Sequence, residues 1–99
     1  MMPAKSDRPE ESLPSRDFVL AEIKQTVATQ KGVPSTNLEE NTDLMADLGY
    51  DSLDKIELVM NLEEHFNVVV PDERVDVAPT IGRIADIVME LLRQKANGN

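Results

Sequence analysis

Apolar positions recur at helical spacing in three stretches of this chain, and polar segments carrying Pro34, Gly49, Pro71 and Pro79 separate them. Val19, Leu20, Ile23 and Val27 form the first stripe, with the three- and four-residue steps that line one face of a helix. Ser15 is a good N-cap, Asp17 suits the positive first turn, and Gly32 is a good stop, so a first helix is expected near 15–31. The second stripe is Leu58, Val59, Leu62 and Phe66, in a helix running from about Asp51 to Phe66. Asp51 suits its N-cap, and Asp54 adds favourable negative charge at its start. Ile81, Ile84, Ala85, Val88, Leu91 and Leu92 form the third stripe, in a final helix that Thr80 caps.

The connections are as informative as the helices. Residues 32–50 form a long polar segment in which Val33-Pro34 blocks helix continuation. Leu38, Leu44 and Leu48 are spaced anchors that pin this loop across a helical core, and long ordered loops in small domains are often functional. Val68-Val69-Val70 has strand propensity but no second strand to pair with, so it reads as extended loop. Pro71-Asp72-Glu73 opens one short helical turn that ends before Pro79. Met1 to Pro14 has three prolines, mixed charge and few large apolar residues, and reads as a flexible tail. Residues 96–99 are expected to fray. The chain is therefore read as all-α: one domain over 15–95, a small bundle of three main helices plus one short helix, with a long first loop.

The second helix carries more apolar residues than a core needs. With Leu53 at zero and about 100° per residue, Leu58, Val59, Leu62 and Phe66 fall between about 140° and 240°. Leu53, Ile56 and Met60 fall between about 300° and 360°, bordered by Glu57, Glu63 and Glu64. A helix packed on one side of a bundle needs a single apolar face. The surplus strip reads as a docking surface for a partner with an apolar groove and a basic rim, and Met suits a surface that meets several partners. The alternative is that both stripes are buried in a central helix. Lys55 projects toward the core side, in the first turn, where its stem reaches past the end of the bundle.

Charge narrows the choice of partners. The net charge is −9, and residues 39–76 hold twelve of the nineteen acids but two of the ten Lys and Arg. This acidic stretch repels nucleic acid phosphates and favours basic protein surfaces, with long-range steering as the benefit. There is no cysteine, so disulfides, thiolate metal sites and cysteine nucleophiles are absent, and one histidine is too few for a His-based metal site. No apolar run approaches membrane-spanning length, and residues 1–14 lack the apolar core of a signal peptide. A soluble, cytoplasmic monomer is the expectation.

The candidate chemistry sits at the start of the second helix, in Gly49-Tyr50-Asp51-Ser52-Leu53. A helix start offers unpaired N–H groups and the positive end of the dipole, which suits a phosphate ester on Ser52. The plainer alternative is that Ser52 or Asp51 merely caps the helix. Ser52 as a hydrolase nucleophile lacks a base, because His65 lies thirteen residues down the same helix, about 20 Å away. The acids after Asp43 also lack the ligand order of a calcium-binding EF-hand loop.

Asp47-Leu48-Gly49-Tyr50-Asp51-Ser52-Leu53-Asp54, followed by Glu57-Leu58-Val59-Met60, Leu62-Glu63-Glu64, Phe66 and Pro71-Asp72-Glu73, closely resembles bacterial acyl carrier proteins of dissociated fatty acid synthesis. The similarity covers most of 15–92. It implies the acyl carrier protein fold and a non-catalytic role. It also implies that Ser52 receives 4′-phosphopantetheine from coenzyme A through a phosphopantetheinyl transferase. Asp51 would support that modification by helping to position the transferase. Leu53, Asp54, Ile56, Glu57, Met60, Glu63 and Glu64 would meet the enzymes that load, extend or transfer the acyl chain. That chain is held as a thioester on the flexible arm and sheltered in the bundle if the helices part a little.

Several positions depart from the family pattern. Tyr50 stands where fatty-acid carriers usually have a small residue, and reads either as a contact to the arm or to a partner, or as an inert surface aromatic. Lys55, His65, Val68-Val69-Val70 and the segment from Arg74 to Gly82 also differ. They leave open a specialised carrier for polyketide, nonribosomal peptide or dedicated lipid synthesis. A reading of another class is an unmodified acidic interaction module with the same bundle.

Overall fold

In the computed structural model, which describes residues 13–77 and 80–98, four helices follow in the order expected. They are α1 (Arg16–Lys31), α2 (Ser52–Phe66), the short α3 (Asp72–Asp76) and α4 (Ile81–Gly98). A single 3₁₀ turn, Ser35–Asn37, interrupts the first loop. No strand forms among the described residues; one isolated bridge joins Asp43 to Thr80, and Val68–Val70 is extended but unpaired.

The helix ends follow the local chemistry. The Ser15 hydroxyl accepts the Phe18 N–H, and Gly32 ends α1 in the left-handed region at φ 70°, where an L side chain would be strained. Asp51 and Asp54 close a reciprocal capping box on α2, and Asn67 ends it at φ 56°. Thr80 accepts the Arg83 N–H at the start of α4.

α1 packs most extensively on α4 and then on α2. Val19, Ile23 and Val27 meet Leu58, Leu62, Ile81, Ile84 and Val88 in one buried cluster. Of the loop anchors, Leu38 and Leu44 are buried and Leu48 is half-buried against the core. The acids of the loop are spent on its shape. Asp43 accepts the N–H groups of Met45 and Ala46, both at 2.8 Å, and Asp47 accepts that of Asp43 at 2.8 Å. At the end of the bundle where α1 and α4 begin, Arg16 grips Glu40 through both terminal nitrogens, at 2.8 and 3.1 Å, and Asp86 at 2.9 Å. The same guanidinium reaches the Gly82 carbonyl at 3.2 Å. Gly82 is required there, because a Cβ would lie 2.9 Å from the Glu40 carboxylate and 3.1 Å from its backbone oxygen.

Residues 1–12 of the expected N-terminal tail and Asn99 of the expected C-terminal one lie outside the described residues; Leu13 packs against the core, and the backbone of 96–98 continues α4. The structure departs from the sequence expectations at two places. Lys55 does not reach past the bundle end into solvent; its ammonium pairs with Asp76 of α3 at 2.7 Å. Tyr50 is no surface aromatic: it is 5% exposed and belongs to the core.

Candidate functional site

The site forms where the long loop delivers the chain to α2. Gly49 turns the backbone at φ 68°, a left-handed conformation that favours glycine. Tyr50 then drops into the core, with its N–H on the Leu44 carbonyl at 3.0 Å. Asp51 follows as N-cap, accepting the Asp54 N–H at 2.9 Å, while Asp54 accepts the Asp51 N–H at 3.2 Å. Ser52 is the first helical residue and is exposed. Capping therefore falls to Asp51 and not to Ser52. Ser15, by contrast, spends its hydroxyl on the start of α1.

Two clusters flank this turn. The Lys31 ammonium lies 3.0 Å from the Asp54 carboxylate and 5.2 Å from the centre of the Tyr50 ring. Lys31, and next the Asp51 N–H, hold the Asp54 carboxyl below the usual carboxylate range. Burial first, then the negative charges of Asp54 and Glu57, push the Tyr50 phenol above its usual value, so it stays protonated. On the other side, a small cleft of about 150 Å³ opens between α2 and α3 directly beside Ser52. Ile56, Val59 and Val75 form its apolar lining, and Lys55 and Asp76 stand at it. A wider, open groove of about 800 Å³ between α1 and α2 is lined mostly by polar side chains and does not include Ser52. The cleft is the more relevant of the two, because it adjoins the hydroxyl and offers apolar side chains between its charged ones.

The remaining candidate residues divide into two groups. Leu53, Ile56 and Met60 are 63%, 50% and 60% exposed, and Glu57 and Glu64 stand exposed beside them. Leu58, Val59, Leu62 and Phe66 are buried on the other side. Asp54 and Glu63, in contrast, are half-buried and turned to internal tasks. Asp54 pairs with Lys31, and Glu63 accepts the Val70 N–H at 2.9 Å, which ties the extended loop to the end of α2. His65 faces α1, with Nε2 2.9 Å from Glu22. Sequence reasoning missed Gln30. It is a polar residue near the end of α1, twenty-two positions before Ser52, and its Nε2 donates to the Asp54 carbonyl at 2.7 Å. No local signal marks it; the nearest cue was the large aromatic at position 50, which needs a partner for its hydroxyl when buried.

Comparison with known proteins agrees with this arrangement. Residues 21–88 match the family described as "Phosphopantetheine attachment site". The acyl carrier protein of Wolinella succinogenes is 41% identical over 66 residues, covering 67% of this chain and 87% of that protein. Two solved structures share the fold. The acyl carrier protein from Enterococcus faecalis superposes with a TM-score of 0.69 at 22% identity, over 79% of this chain and 99% of the other. The HMG-ACPI domain from the CurA module of Lyngbya majuscula gives 0.70 at 18% identity, over 96% and 91%. With a phosphopantetheine-attachment match over most of its helices and that level of identity to a curated carrier, this chain belongs to the acyl carrier proteins, non-catalytic carriers that work through a phosphopantetheine arm.

Proposed function

We propose that the chain carries acyl intermediates of fatty acid synthesis on 4′-phosphopantetheine joined to Ser52, in the cytoplasm and as a monomer. The observation that carries this reading is the setting of Ser52. Its side chain is exposed, it opens a helix whose cap is supplied by Asp51, and it adjoins a cleft to which Ile56, Val59 and Val75 contribute apolar surface. Because Asp51 takes the Asp54 N–H, the N–H groups of Ser52 and Leu53 are left to face a phosphodiester at the positive end of α2. In the modification, the Ser52 oxygen attacks the phosphorus nearest pantetheine in coenzyme A. The Oγ–P bond forms, the pyrophosphate P–O bond breaks, and adenosine 3′,5′-bisphosphate leaves with the electron pair. The serine proton passes to a base on the transferase.

Once attached, the arm supplies the thiol that this cysteine-free chain lacks. Ile56, Val59 and Val75 offer apolar contact to an acyl chain. The cleft is well below the size of ordinary small-molecule pockets, so holding a long chain requires α3 to move away from α2. Leu53, Ile56 and Met60, rimmed by Glu57 and Glu64, form the docking face for the transferase and for the enzymes that load, extend or transfer the acyl group. Asp54 and Glu63 support that face from beneath.

The test is intact mass after incubation with coenzyme A and a broad-specificity phosphopantetheinyl transferase. The wild type gains one phosphopantetheine, and Ser52→Ala gains none while keeping its helical circular dichroism. No gain by the wild type would make the chain an unmodified interaction module. A gain by Ser52→Ala would move the site. The acyl groups found on the protein from its own cells then separate fatty acid synthesis from polyketide, peptide or dedicated lipid synthesis.

A further inference from the structure

The buried phenol at position 50 has a defined task. Tyr50 directs its hydroxyl at Gln30 Oε1. The orientation of that amide is set by its other end, where Gln30 Nε2 meets the Asp54 carbonyl at 2.7 Å. A carbonyl only accepts, so the nitrogen must face it and the amide oxygen must face the phenol, which donates. Lys31, the next residue on α1, lies 5.2 Å from the Tyr50 ring centre and binds the Asp54 carboxylate at 3.0 Å. Asp54 in turn closes the capping box with Asp51. The last turn of α1, the end of the loop and the first turn of α2 are thus joined by the Tyr50–Gln30–Asp54 chain of hydrogen bonds beside the Lys31–Asp54 ion pair, and Ser52 sits within the turn so held.

We propose that Tyr50 is a positioning residue for the modification of Ser52: through Gln30 its hydroxyl fixes the first turn of α2, and with it the direction of the Ser52 hydroxyl. The inference rests on Ser52 being the attachment site. Fraying is the default at a helix start, where backbone donors lack intrahelical partners, and an attacking oxygen must be aligned with its phosphorus to react. A capping box holds the backbone of the turn only from within α2 and the loop. The Tyr50–Gln30–Asp54 link holds it to α1, a separate element packed on the core. Leu53, Ile56 and Met60 lie on the exposed side of α2, whereas Glu57 meets Gln30 Nε2 at 3.4 Å. Loss of the Tyr50 hydroxyl alone leaves the docking side chains in place and therefore acts on the chemical step and not on capture of the transferase.

The experiment uses Tyr50→Phe, which keeps the ring, and Gln30→Ala, which approaches the same bond from the half-buried side. Steady-state modification by the transferase is measured well below each variant's melting temperature. The expected result is a fall in kcat of about three- to tenfold, the scale of one neutral hydrogen bond, with KM for the carrier within about twofold of wild type. The double variant should be no slower than the slower single. In the unmodified protein, amide exchange at Asp54 and Lys55 should quicken in both variants while Val27 and Val88 in the core stay unchanged. A kcat equal to wild type overturns the proposal. So does a loss accompanied by faster exchange throughout the core, which would make Tyr50 merely a packing residue. If the wild type is not modified at all, the attachment reading itself fails; a modified wild type with unaffected variants removes only the role of Tyr50.

Discussion

The two apolar stripes of α2 are built from similar residues and meet opposite fates. Leu58, Val59, Leu62 and Phe66 are buried against α1 and the rest of the bundle, whereas Leu53, Ile56 and Met60 stand in solvent at half exposure or more. The difference lies in what each stripe faces. α1 covers one side of α2, the short α3 covers a strip beside Ser52, and among the described residues nothing lies over the third side. Apolar surface kept in solvent gives the fold nothing, yet it would be buried on association. The comparison teaches that hydrophobicity on this helix exceeds what stability uses: one face is core, and the other stays in solvent, which is the ground for the proposed docking role.

The largest effect expected from breaking this contrast is on stability. Leu62→Ala should cost about 2–5 kcal/mol, as for other core leucines, whereas Met60→Ala should stay within about 0.5 kcal/mol. Thermal melts of the two variants decide it, since about 1 kcal/mol moves the midpoint of a domain this size by about 4–8 °C. Equal losses would mean that both stripes are core.

A smaller effect is expected on partner enzymes. Met60→Ala and Glu57→Lys should both slow transfer while leaving the melt nearly unchanged, and Glu57→Lys should do so by up to about tenfold at low ionic strength. Raising the salt should shrink the Glu57→Lys defect, because screening weakens an exposed charge contact, but not the Met60→Ala defect. A Glu57→Lys defect that is independent of salt would remove the acidic rim from the docking account.

The smallest effect concerns the turn that joins the two faces. Lys31 and the Asp51 N–H depress the Asp54 carboxyl in the folded chain, so its contribution is complete above the unfolded value of about 3.9. It is lost as pH falls through the lowered folded value. The melting difference between wild type and Asp54→Asn should therefore hold steady near neutral pH and close in acid. A gap that stays constant or widens as the pH is taken down through and below the unfolded value would show that the ion pair is not its source.

Most of the helix plan was legible locally. Ser15, Gly32, Asp51 and Thr80 mark ends by their own hydrogen-bonding or backbone preferences, and those ends lie where the caps put them. The division of α2 into two stripes followed from angular spacing, and Ser52 from its place beside a capping aspartate. Less legible were residues whose role depends on a distant partner. Asp54 and Glu63 look like rim acids in sequence because an acid on an amphipathic helix usually points to water; here Lys31 and the Val70 N–H draw them inward. Lys55 looks like a stray charge until Asp76 is placed 2.7 Å away.

What the sequence by itself determined is therefore what spacing and capping control: the order and ends of the helices, the polarity of their faces, and the position of one serine at a helix start. Tertiary structure alone decided which of the two α2 stripes is covered, that Tyr50 is core, and that Gln30 reaches the Ser52 turn. The reason is physical. Periodicity and capping act over one or two helical turns, but burial and long-range hydrogen bonds depend on which elements are neighbours. Gln30 and Asp54 lie twenty-four residues apart along the chain and become neighbours only when α1 and α2 pack together.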